Sequence, residues 1–403
     1  MRFKSNILAA FSLASFLLGL PILAKGAFTL RTSLEVTGEY ERNPLLLSDE
    51  EKEEADYTVN EGYVARYSPE IELDYTAGIG DFRLLYTPSY RTYYVSGRKH
   101  TSYRTHVGAF GGELYITDNL SLFLEDSLSD SDVGTQSWSD NPYLDSRRFE
   151  NSASEKLEFR PGRRLVFMLG HRTSVKWHRK EEEEYRNREE NFALGSVGAN
   201  LGHSTQVGII GDWGLIDYET SDSSDDRFEY SARGYVNRDL RGLDTVVRAE
   251  AGFVTTELKH RNDLEDDSRD CKRSSFTGSL SISRDLGRNT RALLAADSGY
   301  WSSEEYAGEY YLTTTVRTSI RHIFLDRVET FLDGRVQRRR YERGNDRRDY
   351  VYRLSATAGY RFLKWLSLRA GYTFAKVDST IQTYEYDNEL VHASVCFEYE
   401  LSR

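Results

Sequence analysis

The chain has 403 residues, a formal net charge of -11 and a mean hydropathy of -0.61, with 28 tyrosines but two cysteines. Such an acidic chain lacks the basic footprint that nucleic-acid binding requires, so we expect no nucleic-acid partner. Two cysteines are too few for a zinc site built from three or four. We also expect no disulfide between Cys271, in a polar loop, and Cys396, in a strand.

The first 26 residues predict a secretory signal peptide. Arg2 and Lys4 form a basic head, an apolar run extends to Pro21, and small residues follow. A membrane anchor is the weaker interpretation, because the run is shorter than the ~20 residues that a helical span needs. Cleavage after Gly26 fits best, and cleavage after Ala24 or Ala27 is the alternative. Removing residues 1–26 removes three basic residues and no acid, so the charge changes from -11 to -14 and residues 27–403 remain as one domain.

Residues 27–403 alternate between apolar and polar side chains. In the run 365–374, for example, Leu366 and Leu368 share one face while Ser367 and Arg369 share the other. A period of two predicts β-strands that separate two environments. We predict eighteen strands, with sixteen as the alternative count. The predicted strands are 28–41, 57–77, 81–95, 102–117, 119–130, 148–160, 164–178, 188–202, 205–218, 227–239, 244–258, 274–286, 290–302, 308–322, 326–341, 349–361, 365–377 and 386–401.

The connections between these strands alternate between short and long. Short turns such as 78–80, 161–163 and 286–288 contain glycine or proline, whereas long connections such as 49–54 and 263–270 are acidic. Short periplasmic turns and long external loops are typical of outer-membrane proteins. The sequence therefore predicts an all-β fold: a transmembrane, antiparallel, up-and-down β-barrel in the Gram-negative outer membrane. An even strand count places both termini on the periplasmic side.

The apolar face of each strand is expected to contact lipid, because an arginine in the middle of the bilayer costs about 2–4 kcal/mol. Asp126 and His171 are exceptions that fall on apolar faces. We expect them to lie near a membrane interface, or else the predicted register is shifted there. Pro69 and Pro88 fall inside strands, where we expect bulges or shortened strands, while Pro44 and Pro142 fall in loops and Pro161 in a turn.

The polar face is expected to line the lumen. An eighteen-stranded barrel is wide enough for a water-filled channel, and rings of arginine favour anionic solutes. The alternative is that these arginines pair with carboxylates such as Glu329 and Asp333 and only brace the wall. The candidate lumen-lining residues are Arg172, Lys176, Arg248, Glu250, Arg317, Arg321, Arg335, Arg339, Arg353, Arg361 and Arg369.

Other kinds of site have weak support. The acidic loops 49–54, 181–184, 221–226 and 263–270 could collect divalent cations at the lipopolysaccharide surface, but a solvated charge run is the simpler interpretation. We predict no metal site, no cofactor and no enzyme, because HExxH, nucleophile-elbow and phosphate-loop motifs are absent from the sequence. A hydrolase assembled from different strands remains open.

The last strand places Val395, Phe397 and Tyr399 on one face. This resembles the signal by which outer-membrane barrels engage the barrel-assembly machinery, although the chain ends at Leu401, Ser402 and Arg403 without a terminal aromatic residue. The implied partners are that machinery and the lipid and lipopolysaccharide of the outer membrane.

Local motifs near the first hairpin suggest a family. These are residues 39–44 (EYERNP), 67–75 (YSPEIELDY) and 91–94 (RTYY). They resemble the β-barrel porin family linked to exopolysaccharide systems of Gram-negative bacteria. The resemblance implies an outer-membrane barrel that assists polysaccharide export or anchoring, with the exopolysaccharide or its export proteins as partners. The leading hypothesis is a porin-like or export channel for anionic solutes or exopolysaccharide, and the alternative is a non-conducting structural or interaction barrel with acidic surface loops.

Overall fold

The computed structural model describes residues 26–42, 61–95, 101–131, 148–178, 187–202, 204–219, 226–258, 272–302, 310–341 and 347–402. The predicted signal peptide, except for Gly26, lies outside these residues. So do Pro44, Pro142, Cys271 and the predicted acidic loops, apart from Asp226.

Eighteen strands account for nearly all of the described chain, as the alternation predicts. In chain order they are β1 (Ala27–Glu41), β2 (Gly62–Ala77), β3 (Gly80–Val95), β4 (Thr101–Thr117), β5 (Leu120–Ser131), β6 (Arg148–Phe159), β7 (Leu165–His178), β8 (Arg188–Asn200), β9 (Thr205–Tyr218), β10 (Arg227–Leu240), β11 (Thr245–Leu258), β12 (Lys272–Asp285), β13 (Thr290–Ser302), β14 (Tyr310–Phe324), β15 (Val328–Tyr341), β16 (Arg348–Leu363), β17 (Leu366–Ser379) and β18 (Tyr386–Ser402). Two 3-10 turns, Arg241–Leu243 and Gln382–Tyr384, complete the regular structure of the described residues.

The strands form one closed antiparallel barrel. Each strand pairs with its neighbours in sequence, and β1 also pairs with β18. The barrel therefore has no open edge, and every strand finds hydrogen-bond partners on both sides. The predicted fold class and the count of eighteen are confirmed.

The two ends of the barrel differ in their connections. Eight connections are turns of two to five residues, for example between β2 and β3 or between β12 and β13. We call this end the turn end, and it also carries residue 27 and residue 402. The other nine connections meet at the opposite end, which we call the loop end. This division matches the alternation of short and long connections seen in the sequence.

The β14–β15 turn could not be recognised from its residue types, because it contains no glycine, asparagine or proline. Leu325 and Asp326 both have positive φ, at 50° and 57°, and the Arg327 amide donates to the Phe324 carbonyl at 3.1 Å. Two consecutive positive φ values define the mirror-image turn that suits the twist of a hairpin, where glycine or asparagine is usual. β14 consequently ends at Phe324, two residues later than predicted.

Pro69 and Pro88 disturb the barrel less than expected. β2 and β3 run through both prolines without a register shift, and the prolines stand opposite each other. Ladder pairing between β2 and β3 lapses only around this position, while Pro69 still pairs with Leu34 of β1 and Pro88 with His106 of β4. The expectation of bulges or shortened strands was wrong. Each proline lacks a backbone N–H donor, and because the two prolines are paired with each other, both missing donors fall at one position of the β2–β3 ladder.

Side chains bridge the gap left by the two prolines. The Ser68 hydroxyl donates to the Ser89 hydroxyl at 3.1 Å, and the Thr87 hydroxyl donates to a Glu70 carboxylate oxygen at 3.3 Å. These hydrogen bonds join β2 to β3 where the backbone cannot. Pro161 lies in the β6–β7 connection, as predicted.

Candidate functional site: the inner wall of the barrel

The concave face of the barrel can be identified by contacts between strands that are not neighbours. The ring of Tyr235, on β10, crosses over Gly208 of β9, and its hydroxyl reaches Gly198 of β8. Side chains converge in this way on the inside of a curved sheet and diverge on the outside. A Cβ atom at Gly208 would collide with the Val197 carbonyl oxygen as well as with the tyrosine ring, and a Cβ atom at Gly198 would displace the tyrosine hydroxyl.

The opposite face carries the large exposed apolar side chains. Leu169, Phe253, Leu332 and Leu354 stand on it, each more than half exposed. In an antiparallel pair, directly opposed residues share a face, so the strand registers extend this assignment around the barrel. The apolar face is therefore the convex one. This agrees with the prediction that arginine avoids the lipid-facing side because burying it in the bilayer costs free energy.

All eleven predicted lumen-lining residues lie on the concave face. The registers place Arg172 and Lys176 on β7, Arg248 and Glu250 on β11, Arg317 and Arg321 on β14, Arg335 and Arg339 on β15, Arg353 and Arg361 on β16, and Arg369 on β17. Seven of these residues are concentrated on the four consecutive strands β14–β17. We call this part of the wall the basic sector.

Three arginines of the basic sector are directly adjacent. Arg317 is opposite Arg335, and Arg335 is opposite Arg353, so one row crosses β14, β15 and β16. We call these residues the arginine row. Like charges placed directly opposite each other destabilise a sheet. An arrangement of this kind needs counter-charge from carboxylates or from anions in the lumen.

Carboxylates and a neutral amide lie beside the arginine row. Arg317 forms an ion pair with Asp333 at 2.8 Å. Arg335 and Arg339 both donate to the Gln337 side-chain oxygen, at 3.2 and 3.0 Å, and the Gln337 amide donates to the Thr313 hydroxyl at 2.8 Å. Hydrogen bonds to a neutral amide therefore hold Arg335, while Asp297 of β13 and Asp333 of β15 act electrostatically on Arg335 and Arg353 respectively.

The basic sector continues to the turn end. Arg321 pairs with Glu329 at 2.6 Å, and Arg369 lies 3.6 Å from Glu398 of β18. Arg321, Arg361 and Arg369 line one cavity of about 260 Å³, which also contacts Arg327. The basic side chains thus extend from the mouth at the turn end toward the loop end.

Three of the other predicted residues, Arg172, Lys176 and Glu250, make local contacts. Glu250 accepts from Arg233 at 3.3 Å, and Arg233 also pairs with Asp212 at 2.7 Å. Lys176 lies 3.5 Å from Glu150, while the guanidinium of Arg172 lies 4.6 Å from the centre of the Phe192 ring. In these sectors the opposite charges are close to balance.

An acidic sector on β1–β3 was missed by the sequence reasoning. Its inward carboxylates are Glu35, Glu39, Glu41, Glu70, Glu72, Asp74 and Asp81, against Arg31, Arg66, Arg83 and Arg91. Arg31 alone contacts Glu72 at 2.9 Å and Glu400 of β18 at 3.0 Å. The signal was present in residues 70–74, where acids alternate with Ile71 and Leu73. The lumen wall therefore has an acidic sector on β1–β3 and a basic sector on β14–β17, and β18 joins the two.

The inner wall also changes along the barrel axis. Near the loop end, inward polar side chains are buried, with Asp349 at 1% and Arg339 at 6% exposure. Near the turn end they are open, with the side chains of Arg83 at 60% and Glu400 at 57%. The lumen is consequently wider, or less filled, at the turn end than at the loop end.

Other kinds of site are not assembled by the described strands. No group of three metal-ligating side chains occurs in the parts of the chain that the structure covers. Within the described ranges, no helix has the length and apolar character of a membrane span. Cys396, which lies on the inner face of β18, is a buried free thiol.

Known proteins resemble this chain in fold more than in sequence. No curated protein sequence matches the chain. The structure is similar to OccK7 (OpdD) from Pseudomonas aeruginosa, with a TM-score of 0.49, 10% identity, and coverage of 94% of this chain and 100% of that one. It is also similar to a BenF-like porin from Pseudomonas fluorescens Pf-5 (TM-score 0.48, 11% identity, 93% and 99% coverage) and to OprD from Pseudomonas aeruginosa (0.46, 12%, 94% and 96%).

A family model matches the carboxyl-terminal part of the chain. Residues 266–399 match the family described as "Putative beta-barrel porin 2". This confirms the resemblance to a β-barrel porin family that residues 28–95 suggested, and it does so in a different part of the barrel. The match includes β14–β17 and hence the whole basic sector. The chain is thus a porin-like outer-membrane β-barrel whose last third carries the sequence pattern of this porin family.

Proposed function

We propose that the barrel is a channel that favours anionic solutes. The observation that carries this proposal is the arginine row, in which Arg317, Arg335 and Arg353 face the lumen in register. Three adjacent positive charges attract anions to that level and repel cations. The seven arginines of the basic sector outnumber the inward carboxylates of the same strands, Glu329, Asp333 and Asp349, so a passing anion would supply further counter-charge.

A bracing role accounts for some of these arginines. Arg317 and Arg321 form short ion pairs with neighbouring strands, at 2.8 and 2.6 Å. Bracing alone explains Arg335 less well, because its hydrogen-bond partner is the neutral Gln337. The arginine row therefore supports solute contact in addition to wall stability.

A non-conducting barrel is the second candidate function. It is favoured by the burial of inward polar side chains near the loop end, among them Asp349, Arg339 and Thr313. A lumen filled at that level would carry no steady current. The barrel would then serve as a structural or interaction element of the outer membrane.

Conductance in planar lipid bilayers separates these two functions. The folded, heat-modifiable protein is reconstituted, and the reversal potential is measured in a potassium chloride gradient. We expect discrete single-channel currents and a reversal potential shifted toward that of chloride. A folded protein that inserts without conducting supports the structural barrel, and a reversal potential shifted toward that of potassium contradicts the anionic preference.

We further propose that the preferred anion is a carboxylated sugar polymer, as exopolysaccharide export would require. The basic sector supports this because its arginines succeed one another from Arg361 at the turn end to Arg339 near the loop end, so a chain of carboxylates could follow them. An oligomer of hexuronic acid is expected to block the current at lower concentration than a neutral oligosaccharide of equal length. Equal block by both sugars would contradict a charge-based preference.

The orientation of the barrel can be measured independently. We propose that the turn end and both termini face the periplasm, since short turns are typical of that side. Arg288→Cys, in the β12–β13 turn, and Gln382→Cys, in the β17–β18 connection, place thiols at exposed positions of opposite ends. With Cys271→Ser in both variants, a membrane-impermeant maleimide should label Gln382→Cys on intact cells and Arg288→Cys only after lysis. The reverse pattern would invert the orientation.

A further inference from the structure

The convex face of β5–β7 carries polar groups at an unexpected depth. Asp126 of β5, Glu155 of β6 and His171 of β7 all point outward, and each lies well inside its strand. The register is regular through these positions, so no shift explains them. Asp126 stands between the outward-facing Leu124 and Leu128.

These groups form one cluster with few internal contacts. The Asn151 amide donates to Asp126 at 2.7 Å and to the Ser127 carbonyl at 3.2 Å. His171 Nδ1 lies 3.9 Å from a Glu155 carboxylate oxygen, which is too long for a hydrogen bond. We call Asp126, Asn151, Glu155 and His171 the polar cluster.

The hydrocarbon of a bilayer is a poor environment for this cluster. Ionisable groups inside a membrane are expensive and usually face other protein groups rather than lipid. Elsewhere in the described strands, outward carboxylates such as Glu189, Asp217 and Asp378 lie close to a strand end. The polar cluster therefore indicates a part of the outer wall that protein, rather than lipid, covers.

An apolar groove lies directly beside the polar cluster. Its floor contains Gly195 and Gly211, which are paired in register, and its volume is about 550 Å³. Leu169 and Ile209 rise beside it, at 68% and 66% exposure. Leu169 is adjacent to His171 on the same face of β7, so groove and cluster form one continuous surface across β5–β9.

We propose that a second copy of this chain covers this surface, through a two-fold contact between identical patches. Both copies cross the membrane in the same direction, so a two-fold axis along the membrane normal keeps each residue at its own depth. The polar cluster of one barrel then meets the polar cluster of the other within the hydrocarbon layer. An isologous contact of this kind buries the same surface on both subunits.

The surface is complementary to itself. The polar cluster contains two carboxylate acceptors, Asp126 and Glu155, and the imidazole donor of His171, so His171 of each copy can donate to a carboxylate of the other. The groove is also complementary to the side chains beside it. Leu169 of one copy can enter the groove of the other above Gly195 and Gly211, and the reverse contact forms at the same time. Lipid tails would fill the groove but could not satisfy the polar cluster.

Substitution at the groove floor tests the contact without disturbing the barrel. A Cβ at Gly195 would meet no atom within 4 Å, and the same is true of Gly38, which faces outward on the distant strand β1. Both Gly195→Leu and Gly38→Leu should therefore fold into heat-modifiable barrels. We expect native mass spectrometry in mild detergent to show dimers for the wild type and Gly38→Leu, and at least a tenfold loss of dimer for Gly195→Leu.

The outcomes that overturn the proposal are equally direct. A wild type that is monomeric both in detergent and in lipid nanodiscs has no such contact, and dimers that survive Gly195→Leu form elsewhere. Loss of dimer in both variants would also place the contact elsewhere. If Gly195→Leu fails to fold, Glu155→Cys in a Cys271→Ser background replaces it. A short bis-maleimide should cross-link Glu155→Cys but not the outward-facing control Leu294→Cys of β13, and equal cross-linking of the two rejects the proposal.

Discussion

Replacing Arg335 by glutamine is expected to lower the anion preference of the channel several-fold. Arg335 is the centre of the arginine row, and its partner Gln337 does not neutralise its charge. One charge at ~7 Å in water contributes about 0.6 kcal/mol, which changes the local anion concentration roughly threefold and the cation concentration by a similar factor in the opposite direction. The measurement is the reversal potential in a salt gradient, together with the single-channel conductance.

The control for Arg335→Gln is Arg338→Gln. Arg338 belongs to the same strand and carries the same charge, but it lies on the convex face, near Tyr350. We expect Arg338→Gln to leave the reversal potential unchanged. Arg335→Gln should also make the barrel slightly more heat-resistant, because it removes two like-charge contacts. Equal reversal potentials for the two variants would show that the arginine row does not face the conducting path.

Asp349→Asn is expected to destabilise the barrel strongly. Asp349 is almost fully buried and pairs with Arg347 at 2.8 Å. It also accepts from the Ser379 hydroxyl at 2.7 Å. Arg347 is enclosed by Tyr341 and Tyr384, with its guanidinium 4.4 and 3.4 Å from the two ring centres. The substitution removes the carboxylate charge that pairs with this buried guanidinium, at an expected cost of about 3 kcal/mol in the free energy of unfolding.

Heat modification on gels gives the readout for Asp349→Asn. The temperature at which the compact band disappears should fall clearly for this variant. Arg348→Gln is the matched control, because Arg348 is adjacent in sequence, exposed and directed to the convex face. A variant Asp349→Asn that melts with the wild type would mean that solvent or a mobile counter-ion replaces the lost carboxylate.

The wall of this barrel could be predicted from the sequence, because each strand carries its own local signal. Alternation such as Leu366, Leu368 and Ala370 against Ser367 and Arg369 fixes two faces without knowledge of any neighbour. The same logic placed all the candidate lumen residues on the concave side. What alternation cannot give is the level at which residues of different strands meet. The arginine row depends on how neighbouring strands are aligned. Arg317, Arg335 and Arg353 are adjacent only because of the registers of the β14–β15 and β15–β16 pairs.

Other features required the three-dimensional arrangement for the same reason. Pro69 and Pro88 are nineteen positions apart, and only the β2–β3 register shows that they meet. The depth of Asp126 and His171 could not be judged from a face assignment alone. The positive φ of Leu325 could not be inferred either, because leucine does not favour the left-handed region that the turn demands.

The pairing order implies a particular route of assembly. Seventeen of the eighteen ladders join strands that follow each other in the chain, so the sheet can grow by successive hairpins. The remaining ladder joins β1 to β18, where Arg31 bonds Glu400 across 369 positions of sequence. This ladder can form only when the first and last strands are brought together. A sheet that grows in this way keeps two unpaired edges until its final strand arrives, and only the pairing of β1 with β18 removes them.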